Sequence, residues 1–545
     1  MPQITIDGQP CSFEGKQTIL QVALDNGIEI PHYCYHPGLS VVASCRICLA
    51  EVAQPNPRNE NKLELIPKLL PTCQTPAVDG SEIYLQSPKS ISNQKSVMEF
   101  LLINHPLDCP VCDQAGECHL QDYSFKYGRS ESRFEESKIK QPKKDLGPNV
   151  LLYSDRCIMC SRCVRFTREV SGTGEIGVFG RGSSEQIDVF PGQPLDNELS
   201  GNVVDICPVG ALLDKDFLMS MRVWNLTATP GIDGITASGD NISVEHNDGT
   251  IYRVKPRTNM EINHWWISDE IRYGWKFVHR EDRLTTPLIR SENQQQPADW
   301  DTATTEVARQ LADLVKYKGD GSLGLMVSPM LTSEEAYLLG RWILQLDPGA
   351  VIAVGPIHID GEDKTFPGGY TVRAEKAPNA RGVRRALEKI AQTVLTYDEF
   401  LDVIREEDSG LSGLVLTGNT PEPTWDDVLI TGAKARFTIL IDTLPSDMAN
   451  AVDVVLPSST WVEKAGTFEN ATGRLQAFVS AIQPVEGSIP EGQIALDLMA
   501  AADMAKPSRY DAERIRKDMG GEFATDVHVA QRRGQREADL QYVTL

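Results

Sequence analysis

All twelve cysteines of the 545-residue chain fall between Cys11 and Cys207, and nothing from residue 208 onward offers a thiol. Eleven of them, joined by His105, sort by spacing into three sets of four. In a reducing compartment such close-set thiols serve as metal ligands more readily than as disulfides. The first set, Cys34, Cys45, Cys48 and Cys73, reads C-x10-C-x2-C-x24-C. A [2Fe-2S] cluster takes three thiolates from one loop and a fourth from a distant strand, which is this arrangement with a lengthened first gap. A four-cysteine zinc site is the alternative. The second set is His105, Cys109, Cys112 and Cys118. One imidazole among three thiolates removes a negative charge and raises a cluster's potential, although the same donors also suit zinc. The third set, Cys157, Cys160 and Cys163 followed by the remote Cys207-Pro208, has the C-x2-C-x2-C and Cys-Pro pattern of a ferredoxin cubane. It occurs once, so one [4Fe-4S] cluster is expected, with zinc again the alternative. His32, His36 and His119 lie near enough to compete as ligands and read as ordinary loop histidines. Cys11, left over, reads as a buried, unreactive thiol.

These side chains need elements to hold them. Gln3-Ile4-Thr5-Ile6, an Asp7-Gly8 turn and Cys11-Ser12-Phe13 predict a tight hairpin. Ile19, Leu20, Ala23 and Leu24 then recur at helical spacing, with Gly27 placed for a left-handed cap. Hairpin, helix and cysteine loop is the order of a small ferredoxin. Residues 88–104 predict a second helix with Val97, Phe100, Leu101 and Ile103 as its apolar positions, ending ahead of Pro106. Residues 129–150 are polar and aperiodic and read as an exposed linker. From about residue 221 strand-like runs with turns such as Asn247-Asp248-Gly249-Thr250 give way to alternating helix and strand. Trp300–Tyr317 predicts an amphipathic helix, and Leu414–Leu416 and Phe437–Ile441 predict buried parallel strands. From about residue 506 the charge density predicts a surface helix and a tail. Trp265, Trp266 and Trp275 read as core.

At 545 residues the chain suggests three or four domains. A net charge of -23 argues against nucleic acid as a partner. No run reaches the roughly 18 apolar residues that span a bilayer, and Met1–Pro10 lacks signal-peptide blocks, so a soluble cytosolic chain is expected. Gly172-Thr173-Gly174-Glu175-Ile176-Gly177 formally matches G-x-G-x-x-G but follows a helix rather than a strand and reads as a turn.

In the order and spacing of its three sets, and in Pro31-His32-Tyr33-Cys34, His105-Pro106-Leu107-Asp108-Cys109 and Cys207-Pro208-Val209-Gly210-Ala211-Leu212, the chain resembles the large iron-sulfur subunits of respiratory complex I. Asp282–Leu288, Ala451–Pro457 and Glu463–Phe468 resemble the molybdopterin-oxidoreductase portion of the same family. The resemblance implies a multidomain α+β and α/β chain. A ferredoxin-like β-grasp domain (1–80) leads into mainly helical iron-sulfur domains (81–128 and 129–220), and a molybdopterin-oxidoreductase-like α/β domain (221–545) follows. It implies a [2Fe-2S] cluster on the first set, [4Fe-4S] clusters on the second and third, and no molybdopterin, flavin or NAD on this chain. An extra cluster of some family members is expected to be missing, because Asp233, Thr236, Asp240 and Ser268 stand where its cysteines would be. The role implied is electron relay within an NADH:quinone oxidoreductase, from a flavoprotein NADH-binding partner toward quinone, with no substrate chemistry on this chain. The partners would be other peripheral-arm subunits, and the place the cytoplasmic side of a bacterial inner membrane, without a span. The competing role is a diaphorase or electron-input subunit of an NAD-linked hydrogenase or formate dehydrogenase.

Overall fold

Alternation of Ile4 and Ile6 with polar neighbours makes β1 (Gln3–Ile6), which pairs antiparallel with β2 (Gln9–Ser12). Asp7 and Gly8 between them both take positive φ, 45° and 85°, as a two-residue hairpin turn that matches strand twist requires. Thr18 and Gln21 form a capping box at the start of α1 (Ile19–Asp25), and Gly27 follows its end at φ 72°. The sheet is completed by β3 (Leu49–Asn56), β4 (Lys62–Leu65), β5 (Leu70–Pro71) and β6 (Glu82–Tyr84), in the order β2-β1-β6-β3-β4 with β5 on β3. β6 runs parallel to β1, and Ile4, Ile6, Val52 and Ile83 share one core with Ile19, Leu20 and Val22 of α1. Cys11 is fully buried in that core. A mixed sheet clasping one helix is the expected β-grasp. The structure described here is a computed structural model, and it covers residues 1–292, 294–406, 409–525 and 527–529.

Next come α2 (Pro88–Leu102) and α3 (His119–Tyr127). The buried face of α2 is not the expected one. Ser90, Gln94 and Met98 point inward, while Phe100 is 70% exposed and Val97, Leu101 and Ile103 are half-buried. The cause is polar: Ser90 Oγ donates to the Tyr84 carbonyl (2.8 Å) and accepts from Glu51 N–H (3.1 Å), which fixes the rotation of the helix. The stretch that follows mixes strand and helix rather than being mainly helical. β7 (Lys143–Asp145), β8 (Val150–Tyr153), β9 (Ile176–Phe179), β10 (Gln186–Val189) and β11 (Leu212–Asp214) form a three-stranded sheet, β11-β8-β7, and a hairpin, β9-β10. Only two short α-helices, α4 (Arg162–Glu169) and α5 (Asn202–Asp205), lie among them. The linker expected over 129–150 therefore ends as a strand, because Lys143–Asp145 pairs with β8 and buries Leu146 behind it. Gly172 and Gly174, at φ 73° and 68°, make the turn between α4 and β9. Residues 1–226 and 366–370 make one contact unit.

The second unit takes the remaining described residues from Thr227. β12 (Thr227–Ile232), β13 (Asn241–Asn247) and β14 (Thr250–Pro256) form an antiparallel sheet with Asp248-Gly249 at the expected turn. α6 (Asp269–Tyr273) packs on β14, with Trp266 and Trp275 buried and Trp265 half-buried. A seven-stranded sheet follows, built from β15 (Leu288–Ser291), β16 (Gln294–Pro297), β17 (Leu323–Val327) and β18 (Val351–Val354). After a small pair, β19 (Lys364–Thr365) and β20 (Thr371–Val372), it continues through β21 (Gly413–Thr417), β22 (Phe437–Asp442) and β23 (Val454–Pro457). β18, β17, β21, β22 and β23 are parallel neighbours. Strand residues alternate between two cores. Leu325, Val415 and Ile439 meet α7 (Trp300–Lys318), α8 (Ser333–Leu346) and α9 (Ala380–Glu388). Met326, Leu414 and Leu440 meet α10 (Tyr397–Arg405) and α11 (Asp427–Lys434). Helices on both faces are what an apolar parallel sheet needs. The end of the chain is less peripheral than its charge suggests. In α12 (Ala512–Met519), Ala512, Ile515 and Met519 are buried at helical spacing, and Arg516 reaches the buried Glu334 (3.0 Å). Residues 530–545, where the expected tail falls, lie outside the described residues. Among the described residues no helix is long and apolar enough to cross a membrane.

Candidate metal centres

Strand pairing builds the first set. Leu49 stands opposite Pro71, so Cys48, just before β3, falls beside Thr72 and Cys73, just after β5. Thr72 donates to the Cys48 carbonyl from Oγ1 (2.9 Å) and N–H (3.3 Å), and the Cys48 and Cys73 sulfurs lie 3.5 Å apart. Cys45 sits in a loop with Ala43 and Arg46 in the left-handed region, at φ 51° and 60°, pinned by Asn93 of α2 to the Arg46 carbonyl (2.9 Å). Cys34 accepts hydrogen bonds from Cys45 and Cys73, which hold its thiol well below the usual value. The Cys73 thiol does the same for Cys48, bringing it to about 7. All four thiols are thus linked through one another.

The third set owes its shape to Met159 and Ser161, both left-handed at φ 53° and 59°, which coil the run so that Cys163 enters the first turn of α4. Cys207 arrives from beyond α5. The four cysteines line one cavity with apolar walls from Leu152, Ile187, Val209 and Leu212. Burial pushes Cys157 up to about 12, Cys160 to about 11 and Cys163 higher still, with neighbouring sulfurs adding to each. Burial also raises Cys207, against which Leu212 and Ala211 aim their N–H groups. Met159 N–H points at the Cys157 sulfur (3.4 Å).

In the second set, Cys109 opens a single 3-10 turn and Cys118 precedes α3. His105, Cys109 and Cys118 line a common cavity, and Cys112 is not among its lining residues. The Cys112 sulfur lies against Gly210, so close that a Cβ there would collide with it. Asp108 is fixed by Arg156 (2.8 and 3.1 Å), and Arg222 donates to the Cys112 carbonyl (2.9 Å). Burial, with Arg156 and Lys138 nearby, holds His105 down to about 4, a neutral imidazole with a lone pair to offer. Burial raises Cys118 to about 12.

His32 and His36 stand in loops as expected, His119 instead opens α3, and all three are buried. Packing of α3 on the Cys34 loop, with the Tyr33 and Tyr123 rings 5.3 Å apart, covers them. Burial, assisted by Arg162, lowers His32 to about 4 and His119 to about 3. Sequence reasoning passed over Arg156, Arg162, Arg165 and Gly210; the position of the arginines beside the third set is written in the chain, but their burial is not.

In the third set the thiols crowd into a dry cavity where burial makes them costly to ionise, and the N–H groups aimed at their sulfurs would favour thiolates held by a cationic centre. Donor sets of four thiols, four thiols, and three thiols with a neutral imidazole fit iron-sulfur clusters. Where a further cluster was expected to be missing, Asp233 is instead buried and accepts from Ile235 N–H (2.8 Å), Thr236 N–H (3.1 Å) and Ser238 Oγ (3.0 Å). Ser268 Oγ caps α6 by accepting from Ile271 N–H (3.3 Å). Thr236 and Asp240 are buried beside them.

Five family models match the chain. They are a 2Fe-2S iron-sulfur cluster binding domain at residues 2–88, the NADH-ubiquinone oxidoreductase-G iron-sulfur binding region at 94–133, and the ferredoxin-like domain of NADH-quinone oxidoreductase subunit 3 at 147–213. A NuoG-like 4Fe-4S domain matches 226–276, and molybdopterin oxidoreductase matches 380–501. The mitochondrial NADH-ubiquinone oxidoreductase 78 kDa subunit of Neurospora crassa is 42% identical over 56% of this chain and 40% of its own length. The NADH-ubiquinone oxidoreductase 75 kDa subunit of Reclinomonas americana is 39% identical over 58% of this chain and 44% of its own. The crystal structure of an NAD+-reducing [NiFe]-hydrogenase in the H2-reduced state, 25% identical over 41% of this chain and 91% of that chain, superimposes with a TM-score of 0.35, too loosely to bear on function. These matches span under half the length of the two relatives, and over them the chain is similar to the 75 and 78 kDa subunits of NADH-ubiquinone oxidoreductase and to iron-sulfur domain models.

Proposed function

We propose that the chain is an electron relay. Cys34, Cys45, Cys48 and Cys73 would hold a [2Fe-2S] cluster, His105, Cys109, Cys112 and Cys118 a [4Fe-4S] cluster, and Cys157, Cys160, Cys163 and Cys207 another. The observation that carries this reading is the third set, where four thiols separated by up to fifty residues of sequence line one apolar cavity. Such clusters, when bound, each exchange one electron at a potential tuned by ligand type, charge, hydrogen bonding and solvent access. The chain's own part is to hold the sulfurs, exclude water with Leu152, Ile187 and Leu212, and direct N–H groups at the thiolates. No residue is asked to act as acid or base. The electrons would come from a flavoprotein NADH-binding subunit and leave toward quinone through other peripheral-arm subunits of a complex on the cytoplasmic face of a bacterial membrane. The segment matching the NuoG-like 4Fe-4S domain contains no cysteine, and Asp233, Thr236 and Ser238 bond among themselves there, so that segment would carry no cluster.

The test is anaerobic purification of the native complex with metal, sulfide and partner analysis. About ten irons per chain, a brown colour and paramagnetic signals on reduction are expected. Colourless protein with stoichiometric zinc, or co-purification with a hydrogenase large subunit in place of quinone-pathway subunits, would end the proposal.

A further inference from the structure

Arg162 and Arg165 stand in and just after the Cys160-Ser161-Arg162-Cys163 run, and both are buried, Arg162 to 2% exposure. Their hydrogen bonds tie two ligand sets together. Arg162 donates to the carbonyls of Ile206 (3.2 Å), which precedes Cys207, and Tyr35, which follows Cys34. Arg165 donates to the carbonyls of Cys34 and Ser40, more weakly to Cys160 (3.4 Å), and from Nε to Ser161 Oγ (3.4 Å). Among the described residues neither guanidinium forms an ion pair with a carboxylate, and Arg162 Nε has no partner. Glu169, which draws on Arg165 electrostatically, is itself bonded to Ser40 (2.8 Å). The histidines around Arg162, namely His32, His36 and His119, are all held below the usual imidazole value and add no charge.

Two buried cations without a carboxylate are strongly unfavourable unless another anion faces them. Here the facing groups are sulfurs. Arg162 lines the same cavity as Cys157, Cys160, Cys163 and Cys207, and Arg165 reaches the Cys34 and Cys160 carbonyls. Fixed positive charge beside a centre that gains an electron favours its reduced form.

We infer that Arg162 and Arg165 are positioning residues that clamp the first and third ligand sets and, by their fixed charge, raise the reduction potential of the third. The inference rests on the third set holding an iron-sulfur cluster. The experiment is a redox titration of the full chain, followed by electron paramagnetic resonance, for Arg162→Gln, Arg165→Gln, Arg162→Lys and Arg165→Lys. The expected result for the glutamine variants is at least a tenfold fall in the one-electron reduction constant of the third cluster, which is about 59 mV. The second cluster's potential should stay unchanged, and the lysine variants should stay near wild type. Loss of the third cluster in the glutamine variants, with retention at near-native potential in the lysine ones, supports the same conclusion, because lysine keeps the charge and an ammonium donor to the clamped carbonyls. Unmoved potentials with native spectra in the glutamine variants overturn the inference, as does loss of the cluster in lysine and glutamine variants alike. A wild-type chain without iron would instead sink the relay reading itself.

Discussion

A methyl group on Gly210 would run into the Cys112 sulfur, so this position has room for a thiolate ligand and nothing more. Gly210→Ala is expected to strain the site by about 1–3 kcal/mol and to lower iron content from about ten toward six per chain, leaving the other two sets filled. Full iron and sulfide in the variant would show that Cys112 moves aside. At Asp442 the argument concerns pH. Burial pushes its carboxyl up to about 6, with Asn419 and Thr443 N–H groups (both 2.7 Å) opposing. The folded state thus keeps a proton that the unfolded chain releases near pH 4, so this group's contribution to stability is full below pH 4 and lost as pH rises toward 6. Asp442→Asn mimics the protonated form. Its stability relative to wild type, read from thermal unfolding, is expected to rise between pH 4 and 7 by on the order of 2–3 kcal/mol, and a flat difference across that range would refute the assignment. The ligand candidates were legible as residues, since cysteine spacing is written directly in the chain. Arg162 was not, because an arginine ordinarily reads as surface and only packing reveals that it is enclosed.

Among the elements, α2 is the instructive one. Its length and its end before Pro106 follow from local signals, but its rotation is set by Ser90 bonding to the Tyr84 and Glu51 backbones and by Met98 lying under the Tyr33 hydroxyl (3.1 Å). Met98→Ala should therefore destabilise the first unit by about 2–5 kcal/mol, whereas Phe100→Ser should stay within about 0.5 kcal/mol. Denaturant unfolding of the two variants checks the contrast, and reversal of the order would restore the face read from hydrophobicity. The hairpin β1–β2, α1 and α7 were readable because turn residues, caps and periodicity are local. The surface helix expected after residue 506 is present at residues 512–519, and charge density hid only the stripe of Ala512, Ile515 and Met519 that one helical face buries.

At the scale of the molecule, every cysteine belongs to the first unit and the second has a core of its own. Clusters held only by the folded first unit add their binding free energy to its stability. Calorimetry of iron-loaded and iron-stripped protein is expected to show one transition that falls sharply on stripping and one that does not move. A common shift of all unfolding would count against two energetically separate units. The sequence by itself determined which donors exist, their three groupings and the absence of any thiol from the rear, because ligand chemistry follows from residue type and short-range spacing. It also determined the α/β character of the rear, through runs apolar enough to be covered on both faces. Only the tertiary structure decided that strand register sets Cys48 beside Cys73, that Cys207 closes the third cavity, and that Arg162 and Arg165 lie buried among the ligand loops. Those outcomes depend on contacts between residues far apart in the chain, where packing and the need to satisfy buried polar groups outweigh any local preference.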